Sequence, residues 1–232
     1  MSQITQQLNK LASKQQANIL QRFFKTGKGE YGEGDIFIGL KVPQIRQVVK
    51  QFKDLPLTEI KKLLSSKIHE YRACALFLLV AKFETNNEKL KDNIYKLYLA
   101  NTKYINNWDL VDLSAPNIVG QYLLDKPKDI LYSFAVSKDL WEKRISMIST
   151  YTFIKNKKFV DTLKIAKILL NDEHDLIHKA VGWMLREVGK RDLKTEENFL
   201  KTCYKTMPRT MLRYAIERFP EAKRQRYLKG TE

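Results

Sequence analysis

The sequence is short of the residues that would tie it to several common classes. It has 2 cysteines, Cys74 and Cys203, in 232 residues. A disulfide framework is thereby excluded and a reducing compartment fits. Neither cysteine has a neighbouring histidine to make a thiolate nucleophile, so both read as core filler. The longest uninterrupted apolar run, Ala73 to Ala81, is nine residues, far below the roughly 20 a membrane helix needs. The opening MSQITQQLNK lacks the apolar core of a secretory signal, so a cytoplasmic protein with no membrane partner is expected. Glycine is scarce, and five of the 9 glycines (Gly27, Gly29, Gly32, Gly34, Gly39) crowd into one stretch, GKGEYGEGDIFIG. No sustained β alternation is present.

What the chain does have is positive charge and helical periodicity. Lysine and arginine number 42 against 26 acidic residues, a formal charge of +16. The basic residues are spread along the chain, which favours a folded basic face over a basic tail and draws the protein to polyanions. A solvated lysine-rich surface is the plainer alternative. Apolar residues recur at i, i+3, i+4 and i+7 in ITQQLNKLASKQQANILQRFF, YRACALFLLVAKF, DNIYKLYLA, FVDTLKIAKILL and LIHKAVGWMLREVGK, each read as an amphipathic helix. Pro43, Pro56, Pro127, Pro208 and Pro220 stand where helices begin. Pro116 falls inside NWDLVDLSAPNIVGQYLL, where a kinked helix is expected. The chain reads as all-α, a single domain over residues 1–232.

Four segments share a basic residue followed by small and apolar ones: YRACALFLL, KRISMIST, HKAVGWML and LRYAIERF. Their basic positions are Arg72, Arg144, Lys179 and Arg213, spaced by 72, 35 and 34. The first gap is two repeats long and places a hidden member at Trp108. A period of 34–36 residues is that of stacked helical pairs, an α-solenoid of HEAT type, since the TPR signature is absent. One turn beyond each repeat position lie Leu76, Asp112, Ile148, Trp183 and Glu217. Trp108, Asp112, Arg144 and Trp183 therefore come from equivalent faces of successive repeats. Two aromatic walls, a carboxylate and a guanidinium make a candidate site. The competing readings are a buried Asp112–Arg144 ion pair, a phosphate contact by Arg144, and tryptophans that simply pack. Trp141, three residues before a repeat position, lies on nearly the same face or in the core.

Other features carry less. His174 and His178 stand at i, i+4 with Asp175 nearby, but no HExxH and no cysteine pair accompany them, and no metal is assigned. His69 looks isolated. The glycine-rich stretch lacks the lysine–serine/threonine ending of a phosphate loop and follows no strand, so it reads as a helix connection or a backbone contact with DNA. Phosphate contacts are expected from Lys41, Arg46, Arg72, Lys179, Arg186, Arg209 and Arg213, with a repeat-to-repeat salt bridge as the alternative for Arg186, next to Glu187. Such binding weakens steeply with salt and has little sequence preference.

NWDLVDLSAP, the LWEKR segment, KAVGWMLREVGKRD and MPRTMLRYAIERFP, with YGEGDIFIGLKVPQIR upstream, resemble the AlkD-like DNA alkylation repair family from about Gln21 to about Tyr227. The resemblance implies an α-α superhelix of HEAT-like repeats, curved with a basic concave face for duplex DNA. It also implies a monofunctional glycosylase acting on N3- and N7-alkylated purines without a cofactor. Its two tryptophans, aspartate and arginine fall by motif on Trp108, Asp112, Arg144 and Trp183, the four residues the repeat spacing selects. The lesion is implied to stay in the duplex and not to be flipped into a closed pocket. A monomer is expected. A non-catalytic DNA-binding solenoid and a protein-interaction scaffold are the alternatives; salt-dependent duplex binding separates these two, and release of a base separates the enzyme from both.

Overall fold

The computed structural model describes residues 2–85 and 87–232. Apart from an isolated bridge between Ile36 and Ile68, the secondary structure of the described residues is helix and turn. The chain divides into two compact units, one ending at Tyr122 and one running Leu123–Glu232.

The first unit holds α1 (Gln3–Lys10), α2 (Lys14–Phe23), α3 (Val42–Gln51), α4 (Leu57–Leu64), α5 (His69–Phe83), α6 (Glu88–Leu99) and α7 (Trp108–Ser114). The continuous helix expected over residues 4–24 is interrupted at Leu11–Ser13. Ser13 donates its backbone N–H to Ile38 O at 2.9 Å and accepts the Gln16 N–H on its hydroxyl. A serine cap and a tertiary bond thus override a pattern that periodicity alone would carry through. Gly39 sits against this break. Its φ is +87°, and a Cβ there would lie 2.0 Å from Ser13 O, so only glycine fits. α5 is apolar on nearly every side and is buried from His69 to Leu76. It packs against α3, α4, α6 and α7, the position expected of a helix without a polar face.

Pro116 does interrupt its segment, through a π-turn and not a simple kink. Proline supplies no N–H, and the register widens so that Gly120 N–H reaches Ala115 O at 2.9 Å. One further turn, α8 (Gln121–Leu123), follows.

The second unit contains α9 (Asp129–Ala135), α10 (Leu140–Lys155), α11 (Val160–Ile168), α12 (Asp175–Gly189), α13 (Leu193–Lys201), α14 (Arg209–Ala215) and α15 (Glu221–Lys229). Asp139 caps α10 by accepting the Trp141 and Glu142 N–H groups, and Pro208 and Pro220 are the N-cap residues of α14 and α15. α10 packs on α9 and α12, and α12 on α14. The α12–α14 approach is close because position 182 is glycine: a Cβ there would stand 2.4 Å from Met211 O and 2.5 Å from Tyr214 Cβ.

The repeat positions read from sequence fall on α5, α7, α10, α12 and α14. Within the first unit α5 packs on α7; within the second, α10 packs on α12 and α12 on α14. A 34–36-residue period thus marks helices that lie against one another, as in stacked helical pairs. No helix of the described residues is long and apolar enough to cross a membrane.

Candidate functional site

In the first unit the site is built on α7. Its cap residue, Asn107, is fully buried. The Asn107 carboxamide oxygen accepts the Trp108 backbone N–H at 2.8 Å, and its amide donates to Asp35 at 3.3 Å. Trp108 is half-buried. One face stacks on Phe24 at 5.3 Å and 22°, and the ring of Phe23 meets it edge-on at 5.9 Å. Phe24, Phe37 and Ala17 form a small apolar cluster under the indole, with Leu20 at its margin. Phe23 is 61% exposed, so the cluster continues to the surface beside Trp108. Asp112 is one turn further along α7 and also half-exposed, while Leu110, Val111 and Ser114 face inward. Burial, assisted by the charge of Asp112, pushes the Tyr98 phenol upward. Its hydroxyl hydrogen bonds with Ser114 at 3.0 Å.

A buried ionic network supports this platform. His69, isolated in the sequence reading, is its centre. Nδ1 meets Asp35 at 3.0 Å and Nε2 meets Asp109 at 2.8 Å. Asp35 also accepts from Arg72 at 2.6 Å. Arg72 is only 3% exposed and gives a second bond to Ser66 O at 3.1 Å. The expected phosphate contact from Arg72 is therefore corrected: a guanidinium so committed and so buried does not reach a DNA backbone, and its role is to neutralise Asp35. Burial raises the Asp35 carboxyl, but the His69 hydrogen bond and the Arg72 charge outweigh it and hold the group below its ordinary value.

The glycine-rich stretch is a helix connection. Ile38, Gly39 and Leu40 point their N–H groups at one anion, the carboxylate of buried Glu70, with bonds of 2.7–3.2 Å. The cradle that such a loop offers a phosphate is filled by the chain's own side chain, so these three amides do not contact DNA.

In the second unit Trp183 is half-buried on α12 and lies tilted beside Tyr151 at 6.1 Å. Lys155 and Arg191 approach the same tyrosine ring at 5.2 and 5.8 Å. Arg144 is buried, 5% exposed, and donates to Leu176 O in the first turn of α12 at 2.6 Å. Trp141 is buried and belongs to the core. His174 Nδ1 accepts the Leu176 N–H at 3.1 Å, and the His178 ring meets Asp172 O at 2.5 Å. Both histidines shape the start of α12. Burial pushes the Cys74 thiol up to about 12 and raises that of Cys203, which leaves both unreactive at neutral pH.

The remaining basic candidates differ in availability. Lys41, Arg46, Arg209 and Arg213 are exposed. Arg46 lies over Phe77 at 5.1 Å, and Arg209 donates to Leu228 O at 2.8 Å. Lys179 is partly exposed and paired with Asp175 at 2.6 Å. Arg186 is largely buried and bonded to Glu217; this is a bridge between α12 and the segment after α14. It is a salt bridge of the repeat-to-repeat kind, and the adjacent Glu187 takes Lys190 at 2.5 Å and Arg191 at 3.0 Å.

Phe23, Asp35, His69 and Asp109 were not singled out as a group by sequence. Only the paired phenylalanines closing a helical run, and an aspartate directly after Trp108, hint at them.

The model of a family described as DNA alkylation repair enzyme matches residues 4–219. No curated protein matches the sequence. A solved structure, a predicted DNA alkylation repair enzyme from Enterococcus faecalis, has the same fold. Its TM-score is 0.71 at 16% identity, with 90% of this chain and 97% of that chain covered. With its family model spanning nearly the whole length, the chain belongs to the DNA alkylation repair enzyme family.

Proposed function

We propose that the chain is a monofunctional DNA glycosylase that releases N3- and N7-alkylated purines from duplex DNA without flipping the lesion into a closed pocket. The observation that carries this is the placement of Trp108 and Asp112 on successive turns of α7, both partly open, over a packed and charge-locked base. A purine alkylated at N3 or N7 is already cationic, so it leaves as a neutral base and needs no proton. Positive charge develops on the deoxyribose as the glycosidic bond breaks. Asp112 stabilises that charge and orients the water that adds to C1′, whose proton passes to the carboxylate or to solvent. The electron-rich face of Trp108 holds the sugar or the cationic base by cation–π contact, and Trp183 offers a face of the same kind on the second unit. Arg144 acts as a support for α12, which carries Trp183. Phosphates fall to the exposed Lys41, Arg46, Arg209 and Arg213, with Lys179 contributing when it leaves Asp175.

The test is base release from a duplex carrying one N7-methylguanine. Wild type releases the base. Asp112→Asn folds and binds DNA but loses about 10²–10³-fold in rate. Equal rates would make Asp112 structural. No release by wild type, with salt-sensitive duplex binding intact, would identify a non-catalytic DNA-binding member.

A further inference from the structure

Of the features in the first unit, the arrangement around His69 carries the most beyond the site itself. Both ring nitrogens face carboxylate oxygens, Asp35 at 3.0 Å and Asp109 at 2.8 Å. An ionised carboxylate only accepts, so both nitrogens must carry hydrogen and the ring is an imidazolium. The ring faces are covered by aromatic rings: Phe37 stacks at 4.4 Å and 22°, and Phe24 lies at 5.1 Å. Phe24 in turn stacks on Phe37 at 5.0 Å and on Trp108 at 5.3 Å. One cation thus touches α7 by two routes. One is the hydrogen bond to Asp109 in its first turn; the other is the aromatic stack that ends on the indole of Trp108.

We propose that His69 is a positioning residue for base excision: its imidazolium, clamped between Asp35 and Asp109, fixes the first turn of α7 and the ring plane of Trp108, and so the direction in which Asp112 faces the DNA. The role in excision rests on the glycosylase reading above; the hold on Trp108 does not. The charged groups facing His69 are Asp35 from the glycine-rich connection, Asp109 from α7 and Arg72 from its own helix. Burial and the charge of Arg72 oppose the cation. The charge of Asp109, and the hydrogen bonds to Asp109 and Asp35, outweigh them and lift the ring to about 9. When the proton leaves, one N–H remains for two acceptors. Asp35 keeps Arg72 and Asn107. Asp109 has no such reserve, since its Oδ1 is buried without a hydrogen-bond partner among the described residues. Asp109 is therefore the carboxylate set loose, and with it the start of α7.

The experiment uses the full chain as wild type, His69→Gln and Asp109→Asn. Single-turnover release from the N7-methylguanine duplex is followed between pH 6.5 and 9.5 against enzyme-free blanks, alongside duplex affinity. The indole N–H resonance of Trp108, identified by its loss in Trp108→Phe, is titrated in DNA-free protein. A 1 Å misplacement in a site costs about 10²-fold. His69→Gln accordingly lowers the maximal rate about 10- to 100-fold, with duplex affinity changed less than about 2-fold. Asp109→Asn removes the largest influence favouring the cation and moves the alkaline fall in rate down by about one pH unit. In wild type the Trp108 resonance shifts with the same midpoint as the His69 ring protons. The inference is overturned if both variants keep the wild-type maximal rate and alkaline limb, or if the Trp108 resonance stays constant while His69 titrates. Should His69→Gln fail to fold, the wild-type titration and Asp109→Asn still decide. Absence of release from wild type sinks the glycosylase reading alone, and the Trp108 resonance then settles whether His69 positions that ring.

Discussion

Asp35 in the first unit and Glu196 in the second are both buried carboxyls, 6% and 2% exposed, and they behave oppositely. Asp35 accepts from Arg72, His69 and Asn107 and stays ionised despite its burial. Glu196 has a carboxyl oxygen, Oε1, with no hydrogen-bond partner among the described residues. Burial, helped by the neighbouring Glu197 charge and only partly countered by Arg186, pushes it up to about 9. It lies so close to Gly189 that a Cβ there would overlap its carboxyl group. The lesson is that burial sets the size of the desolvation penalty, and partners set which protonation state survives it. The first unit invests in a complete set of partners directly beneath Trp108. The second holds Glu196 against Gly189 as a neutral acid, and its Trp183 lies tilted beside Tyr151.

The sharpest way to break this contrast is to remove a partner from Asp35. Arg72→Ala leaves a buried carboxylate short of its strongest counter-charge and is expected to cost about 3–5 kcal/mol in urea unfolding. Next is Glu70→Gln, which weakens the bonds gathering Ile38, Gly39 and Leu40 and is expected to cost about 1–3 kcal/mol; amide exchange at those three positions should rise with it. The two buried groups also make a pH prediction of common sign. His69, raised from 6.5 to about 9, contributes stability that is complete below pH 6.5 and is lost as pH rises through 9. Glu196, raised from 4.5 to about 9, resists ionisation when folded, so its burial costs progressively more between pH 4.5 and 9. Tm should therefore fall from pH 6.5 to 9, and Glu196→Gln should flatten part of that fall, with its benefit growing toward pH 9. The smallest effect belongs to exposed Arg213. Arg213→Ala should change stability by less than about 0.5 kcal/mol, yet weaken duplex binding and reduce the slope of its salt dependence by about 1. Arg72 and Arg213, equivalent in the repeat, would then separate as a folding residue and a binding residue.

That separation marks where sequence reasoning reaches its limit. Repeat spacing places Arg72, Trp108, Arg144, Lys179 and Arg213 on helices that stack within each unit, because helical pairs of constant length return the chain to equivalent positions. It also selects Trp108 and Asp112 on one face of one helix, which needs only the 3.6-residue period. It cannot tell a buried arginine from an exposed one at the same repeat position. Arg72 is drawn inward by Asp35, 37 residues away along the chain, and no local pattern records that meeting. The break at Leu11–Ser13 was hidden for the same reason: the Ser13 N–H is taken by Ile38, a partner outside the helical window.

Composition and periodicity by themselves determined an all-α chain of repeating helices, strongly cationic, with Trp108 and Asp112 a turn apart. Tertiary structure alone decided that the glycine-rich connection wraps a carboxylate of its own chain, that His69 joins two acids, and that Arg72 and Arg186 are spent on internal pairs while Arg213 is exposed. The physical reason is range. Helix formation and amphipathicity are properties of neighbouring residues. The charge state and exposure of an ionisable group depend on which distant groups the fold brings within hydrogen-bond reach.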